Sequence, residues 1–195
     1  MQSRPFNIAQ ALQEALNLHQ QGRLREAEKL YARVLKAAPH NFDALHLLGL
    51  IKAQKGQMGD AFRMMSAALK INSNAPDALI NFANVLHALK RDSDALDCLD
   101  KALALRPDDL EATLYRGNAL AALDRAQDAL SCFDAVLARN PHRGDALLNR
   151  GTAVAKLGRH AQALADFDAV IVQAPNHVEA LYNRGTALLD LDRHT

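Results

Sequence analysis

The stretch GDALLNRGTAVAKLGRHAQALADFDAVIVQAP, residues 144–175, decides the fold. Within it Ala163 stands twelve residues after Gly151, Phe167 follows four later, and Pro175 closes the segment. Each position recurs at a spacing of 34 residues. Ala27, Ala61, Ala95, Ala129 and Ala163 form one series, and Tyr31, Met65, Leu99, Phe133 and Phe167 form the next. Gly49, Gly117, Gly151 and Gly185 share a third phase, with Ala15 and Ala83 as small substitutes. Pro39, Pro107, Pro141 and Pro175 mark a fourth, interrupted by Ser73, with Pro76 three residues later. An unbroken period of this length is the signature of a repeat architecture.

Each phase has a mechanical reason in a pair of antiparallel helices. The small residue and the Ala twelve positions on let two helices approach closely, and the bulky residue at i+4 fills the gap beside them. Pro ends the second helix. Gly22, Gly56 and Gly158 stand seven residues after the small position, where a helix end needs left-handed backbone; Lys90, Asp124 and Asp192 hold that place in other copies. The pattern predicts first helices near 7–21, 41–55, 75–89, 109–123, 143–157 and 177–191, and second helices near 24–37, 58–71, 92–105, 126–139 and 160–173. The expected fold is all-α, with eleven helices and no strand.

A 34-residue helix pair with small, Ala, aromatic and Pro residues at these offsets resembles the tetratricopeptide repeat, and the resemblance runs from about Asn7 to the end of the chain. The sequence departs from that consensus at its Trp position, where Ala11, Leu45, Leu79, Thr113, Leu147 and Leu181 stand. The resemblance implies one solenoid domain over residues 1–195, a right-handed superhelix whose first helices line a concave groove that holds peptides or partner proteins. The repeats fall at about 8–41, 42–75, 76–109, 110–143 and 144–177, with a partial sixth at 178–195.

Composition narrows the function. Apolar residues make up 49% of the 195 and charged ones 23%, as in folded globular chains, and no apolar run approaches the ~20 residues of a membrane span. Twenty-three Lys and Arg against 22 Asp and Glu leave +1, which gives no electrostatic reason to expect nucleic acid or an acidic membrane as partner. The N-terminus lacks the blocks of a secretory signal, and two cysteines are too few for a disulfide framework, so a reducing cytoplasm is the expected setting. Cys98 and Cys132, at the same place in adjacent copies, are expected to stay unbridged.

The face that the resemblance assigns to the groove is mixed in chemistry. In the third to sixth copies it supplies Asn81, Asn84, Asn118, Asn149 and Asn183, with His87, Tyr115, Thr152, Tyr182 and Thr186 beside them. In the first two it supplies Leu12, Leu16, Leu47 and Leu50, an apolar stretch, with His19 and His46. Asn is disfavoured in mid-helix by several tenths of a kcal/mol, so its recurrence calls for a reason. A carboxamide both donates and accepts, which suits the backbone of an extended peptide whatever its side chains. The alternative is that these amides bond one another or water between adjacent helices. The Asn118–Asn149 spacing resembles the pair of clamp-type repeats that hold a peptide carboxylate, but Leu114, Glu179 and Asn183 stand where that clamp has cations. The asparagine series also resembles the ladder in the repeat region of O-linked N-acetylglucosamine transferases, with gaps at Leu47 and Tyr115.

Other recurring residues read as structural. Asp43, Asp77, Glu111, Asp145 and Glu179 open the first helices, where an acid meets the positive helix end. Arg116, Arg150 and Arg184 are expected to pair with neighbouring acids, and His40, His142 and His177 to be solvated turn residues. No zinc spacing, phosphate-cradling loop or nucleophile elbow occurs, so neither cofactor nor metal nor catalysis by these residues is expected. The leading reading is a scaffold binding an extended peptide or partner helix. Its rival is the substrate-recruiting repeat region of a longer glycosyltransferase. Because the sixth copy stops at Thr195 without a second helix, the chain is expected to be a fragment, with an exposed apolar end that self-associates weakly.

Overall fold

The structure, a computed structural model, describes residues 6–192. Among these it holds eleven helices and no strand: α1 (Ile8–Gln20), α2 (Leu24–Ala37), α3 (Phe42–Gln54), α4 (Met58–Ile71), α5 (Pro76–Ala88), α6 (Asp92–Leu105), α7 (Leu110–Ala122), α8 (Ala126–Arg139), α9 (Gly144–Lys156), α10 (His160–Gln173) and α11 (Val178–Asp192). The five second helices have the bounds expected from sequence. First helices α1, α3, α5, α7 and α9 are one residue shorter at each end than expected, because the outermost residues act as caps. Asn7, Asn41 and Asp109 accept the backbone N–H of Gln10, Ala44 and Ala112 from just outside the helix.

Left-handed backbone turns each first helix into its second. Gly22, Gly56 and Gly158 lie at φ 73°, 74° and 75°, and Lys90 and Asp124 take φ 60° at the same place. Asp192 departs from this expectation. It is the last residue of α11. His177 departs too: its Nδ1 accepts the Ala180 N–H at 3.2 Å, so it caps α11 rather than standing free in solvent.

The helices gather into two compact units, Met1–Arg91 and Asp92–Thr195, parted between the two helices of the third copy. In the first, α1 packs on α2 and α3 on α4, α2 and α4 each lean on the following first helix, and α3 touches α5. Its core holds Ala15, Ala27, Tyr31, Val34 and Ile51, all fully buried. In the second, α7 packs on α8 and α9 on α10, while α7 touches α9 and α9 touches α11, setting the first helices side by side. The small position works as its period predicts. A Cβ built on Gly117 would lie 2.6 Å from the Phe133 ring, and one on Gly151 would lie 2.7 Å from Phe167. Phe133 and Phe167 are both completely buried, so these rings lie against the helix backbone where only glycine leaves room.

Candidate functional site

The side-by-side first helices of the second unit bring the carboxamides together. Asn149 Nδ2 donates to Asn118 Oδ1 at 2.8 Å, joining α9 to α7. Asn183 Nδ2 donates to Thr152 Oγ1 at 3.3 Å, joining α11 to α9, while that hydroxyl donates to the Leu148 carbonyl at 2.9 Å. In both cases the amide nitrogen of the later helix is used. The Oδ1 of Asn149 and of Asn183, and the Nδ2 of Asn118, retain their bonding capacity on half-buried side chains. Tyr115 is half-buried on α7. Tyr182 is 73% exposed, and Thr186 bonds its carbonyl.

In the first unit α3 and α5 form the equivalent link. Asn81 Nδ2 donates to His46 Nε2 at 3.0 Å, which requires that nitrogen to be unprotonated. Burial lowers the His46 pKa, opposed by the carboxylates of Asp77 and Asp43, so the ring is held neutral in agreement with that bond. The Phe42 ring lies 5.9 Å from His46, centroid to centroid. Leu12, Leu16, Leu47 and Leu50 are half-buried, and Leu12 and Leu47 pack against the first core cluster, so part of the apolar stretch is spent on the fold. Asn84 and His87 are half-buried on α5. The His46–Asn81 pairing was not legible in sequence, where His46 was only a neighbour of the leucines.

The arginine series pairs with acids, as its position suggested. Arg116 Nε donates to Asp100 at 2.6 Å and its Nη1 to the Cys132 sulfur at 3.3 Å. Arg150 meets Asp134 at 3.0 Å and holds Asp166 by two bonds of 2.9 and 2.5 Å. Asp166 is only 3% exposed, and this fork satisfies its charge. Arg184 donates to Asp168 at 2.5 Å. Of the acids at the first-helix starts, Glu111 and Asp145 are both held by Arg143.

Among the described residues no group of three or more His, Cys, Asp or Glu side chains could hold a metal ion. Cys98 and Cys132 are free, and burial, with Asp97 and Asp94 nearby, pushes the Cys98 thiol up to about 11, away from nucleophilic character. No described helix is long and apolar enough to cross a membrane.

Comparison with known proteins agrees with this architecture. The tetratricopeptide repeat model matches residues 82–131, 116–177 and 148–195, more than half of the chain, and that of anaphase-promoting complex, cyclosome, subunit 3 matches residues 20–102. Among solved structures, YrrB, described as a TPR protein with an unusual peptide-binding site, is 27% identical, with a TM-score of 0.78 over 92% of each chain. A tetratricopeptide repeat protein from Parabacteroides merdae is 21% identical with a TM-score of 0.79, over 95% of this chain and 73% of that one. MamA is 19% identical with a TM-score of 0.73, over 88% and 96% respectively. No curated protein sequence matches the chain significantly.

Proposed function

The chain belongs to the tetratricopeptide repeat family, whose members are typically protein-interaction scaffolds, and from that premise we propose that its first-helix face binds an extended peptide mainly through the peptide's backbone. The observation that carries this reading is the direction of the inter-helix amide bonds. Each consumes the later asparagine's nitrogen and leaves its oxygen, so Asn149 and Asn183 present acceptors one repeat apart, with the Asn118 nitrogen as a donor beside them. Acceptors and a donor on adjacent helices are the complement of peptide N–H and C=O groups. The link to the preceding helix also restrains each amide, so less side-chain freedom is lost on binding. A peptide-binding site in YrrB, at 27% identity, supports the same use of the fold.

The test is an array of unrelated ten-residue peptides probed with the chain and with Asn149→Ala and Asn183→Ala. Each lost peptide bond should weaken binding about two- to twelvefold, the equivalent of ~0.5–1.5 kcal/mol, across peptides of differing sequence. Melting temperature should change little, because Ala's better helix propensity offsets the lost inter-helix bond. Unchanged binding with a clear fall in melting temperature would make the asparagines purely structural.

A further inference from the structure

The whole-chain charge of +1 conceals two units of opposite sign. Met1–Arg91 carries twelve Lys and Arg against six Asp and Glu, a net +6, whereas Asp92–Thr195 carries eleven against sixteen, a net −5.

In the first unit the excess gathers on α2. Arg25, Lys29, Arg33 and Lys36 follow one another at i, i+4, i+8 and i+11, a single stripe about 16 Å long at 1.5 Å per residue. All four are exposed, and among the described residues none takes part in an ion pair. The two acids of α2 are engaged elsewhere, Glu26 with Arg23 and Glu28 with Lys52 and Lys55, so the helix does not neutralise its own stripe. Later copies expose the same position, where Arg63, Asp97, Ser131 and Ala165 stand in the place of Lys29. The stripe therefore lies on the face that every second helix turns outward.

In the second unit the acids are the open charges. Asp97 and Asp108 are exposed and take part in no ion pair among the described residues, and Asp124 is 93% exposed, with Lys156 at 4.0 Å. Asp100, Asp134 and Asp168 each meet an arginine, yet half or more of each side chain stays exposed.

Two joined units of opposite charge select their partner. A polyanion drawn to α2 is repelled by the second unit, whereas a second copy offers each unit its opposite, and the near-neutral total leaves no net repulsion between copies. We propose that the chain pairs with a second copy of itself, the basic face of α2 in one copy lying against the acidic unit of the other. Exposed ion pairs are individually weak, so the association is reversible and dependent on salt. It uses a second helix and not the first-helix amides, so it does not rest on peptide binding.

The test is sedimentation velocity of the full chain over a hundredfold concentration range at about 20 mM and about 300 mM salt, where the screening length falls from ~20 Å to ~6 Å. A species heavier than the monomer is expected at low salt, with an association constant at least tenfold smaller at high salt. Net charge is separated from its distribution by one variant combining Arg25→Gln, Lys29→Gln and Lys36→Gln with Asp97→Asn, Asp108→Asn and Asp124→Asn. This leaves the whole chain at +1 and brings the units to +3 and −2. The variant should keep the parent's melting temperature and lose at least tenfold in association at low salt. Carbodiimide cross-linking of mixed unlabelled and isotope-labelled parent chains should join Lys29 or Lys36 of one copy to Asp97 or Asp108 of the other. A monomer throughout at low salt overturns the proposal, as does association that neither salt nor the variant weakens. So do cross-links between copies that join only first unit to first unit. Binding of phosphatidylserine vesicles by α2 while the chain stays monomeric also overturns it, for the stripe then belongs to an acidic membrane surface.

Discussion

Asn149 and Asn118 are bound side chain to side chain, amide nitrogen to carbonyl oxygen at 2.8 Å, across two successive first helices. The bond joins two alternatives open at the level of sequence, amides that hold the helices together and amides that hold a peptide. A carboxamide has more bonding capacity than one such link uses, so the link does not exhaust the residue and leaves atoms with which the proposed peptide would bond. The link also sets which atom is left over, and that atom sets the polarity of what can bind.

Tyr31 fills the aromatic position of the first copy, fully buried, and its hydroxyl has no hydrogen-bond partner among the described residues. Burial, with Asp43 adding to it, pushes its pKa up to about 12. A buried hydroxyl without a partner is disfavoured by ~1–3 kcal/mol, and the equivalent position carries Phe in two other copies. Tyr31→Phe is therefore expected to raise stability by about 1 kcal/mol in urea unfolding; a loss of stability would show that the hydroxyl is bonded.

His46 gives the first unit a pH dependence of defined sign. Its pKa is lowered by burial, so between that value and the ordinary ~6.5 the unfolded chain binds more protons than the folded one. Stability then falls as pH drops below about 6.5 and levels off once the folded ring is also protonated. Protonation at Nε2 would also remove the acceptor that Asn81 uses. Melting temperatures of the chain and of His46→Gln, compared from pH 7.5 to 5, should show a shallower decline in the variant. Equal slopes would assign the dependence to other histidines.

Two glycines of one series should respond oppositely to the same change. Gly151→Ala places a methyl 2.7 Å from the buried Phe167 ring, and such overpacking costs ~1–3 kcal/mol, outweighing a helix-propensity gain of at most about 1 kcal/mol. At Gly185 the methyl meets nothing within 4 Å, so only the gain remains. Urea unfolding should show Gly151→Ala destabilised and Gly185→Ala stabilised by roughly 0.5–1 kcal/mol.

The fold was legible in the sequence because every boundary has a local chemical marker. Gly22, Gly56 and Gly158, with Lys90 and Asp124 standing in, bracket the starts of the second helices, and the Pro series closes them. Only the caps displaced the first-helix limits by a residue. The identity of the site's partners was less legible. That Arg150 would pair with acids follows from its surroundings, but its choice of Asp134 and Asp166 depends on helices sixteen residues away meeting it from two sides. The inter-helix bonds of Asn81 and Asn183 likewise depend on side-chain rotamers and on helix spacing, which no sequence period encodes. The division after Arg91 has no compositional marker either.

Backbone recognition by the amide face is tested most directly by N-methylation. For any peptide selected on the array, a scan should replace each backbone N–H by N–CH3, in parallel with an alanine scan of its side chains. Methylation at the positions facing Asn149 and Asn183 is expected to weaken binding about tenfold, equivalent to ~1.4 kcal/mol, and to lose that effect in the corresponding Asn→Ala variant. Alanine at the same positions should change binding less than about threefold, equivalent to ~0.65 kcal/mol. Strong dependence on side chains together with indifference to methylation would contradict the account.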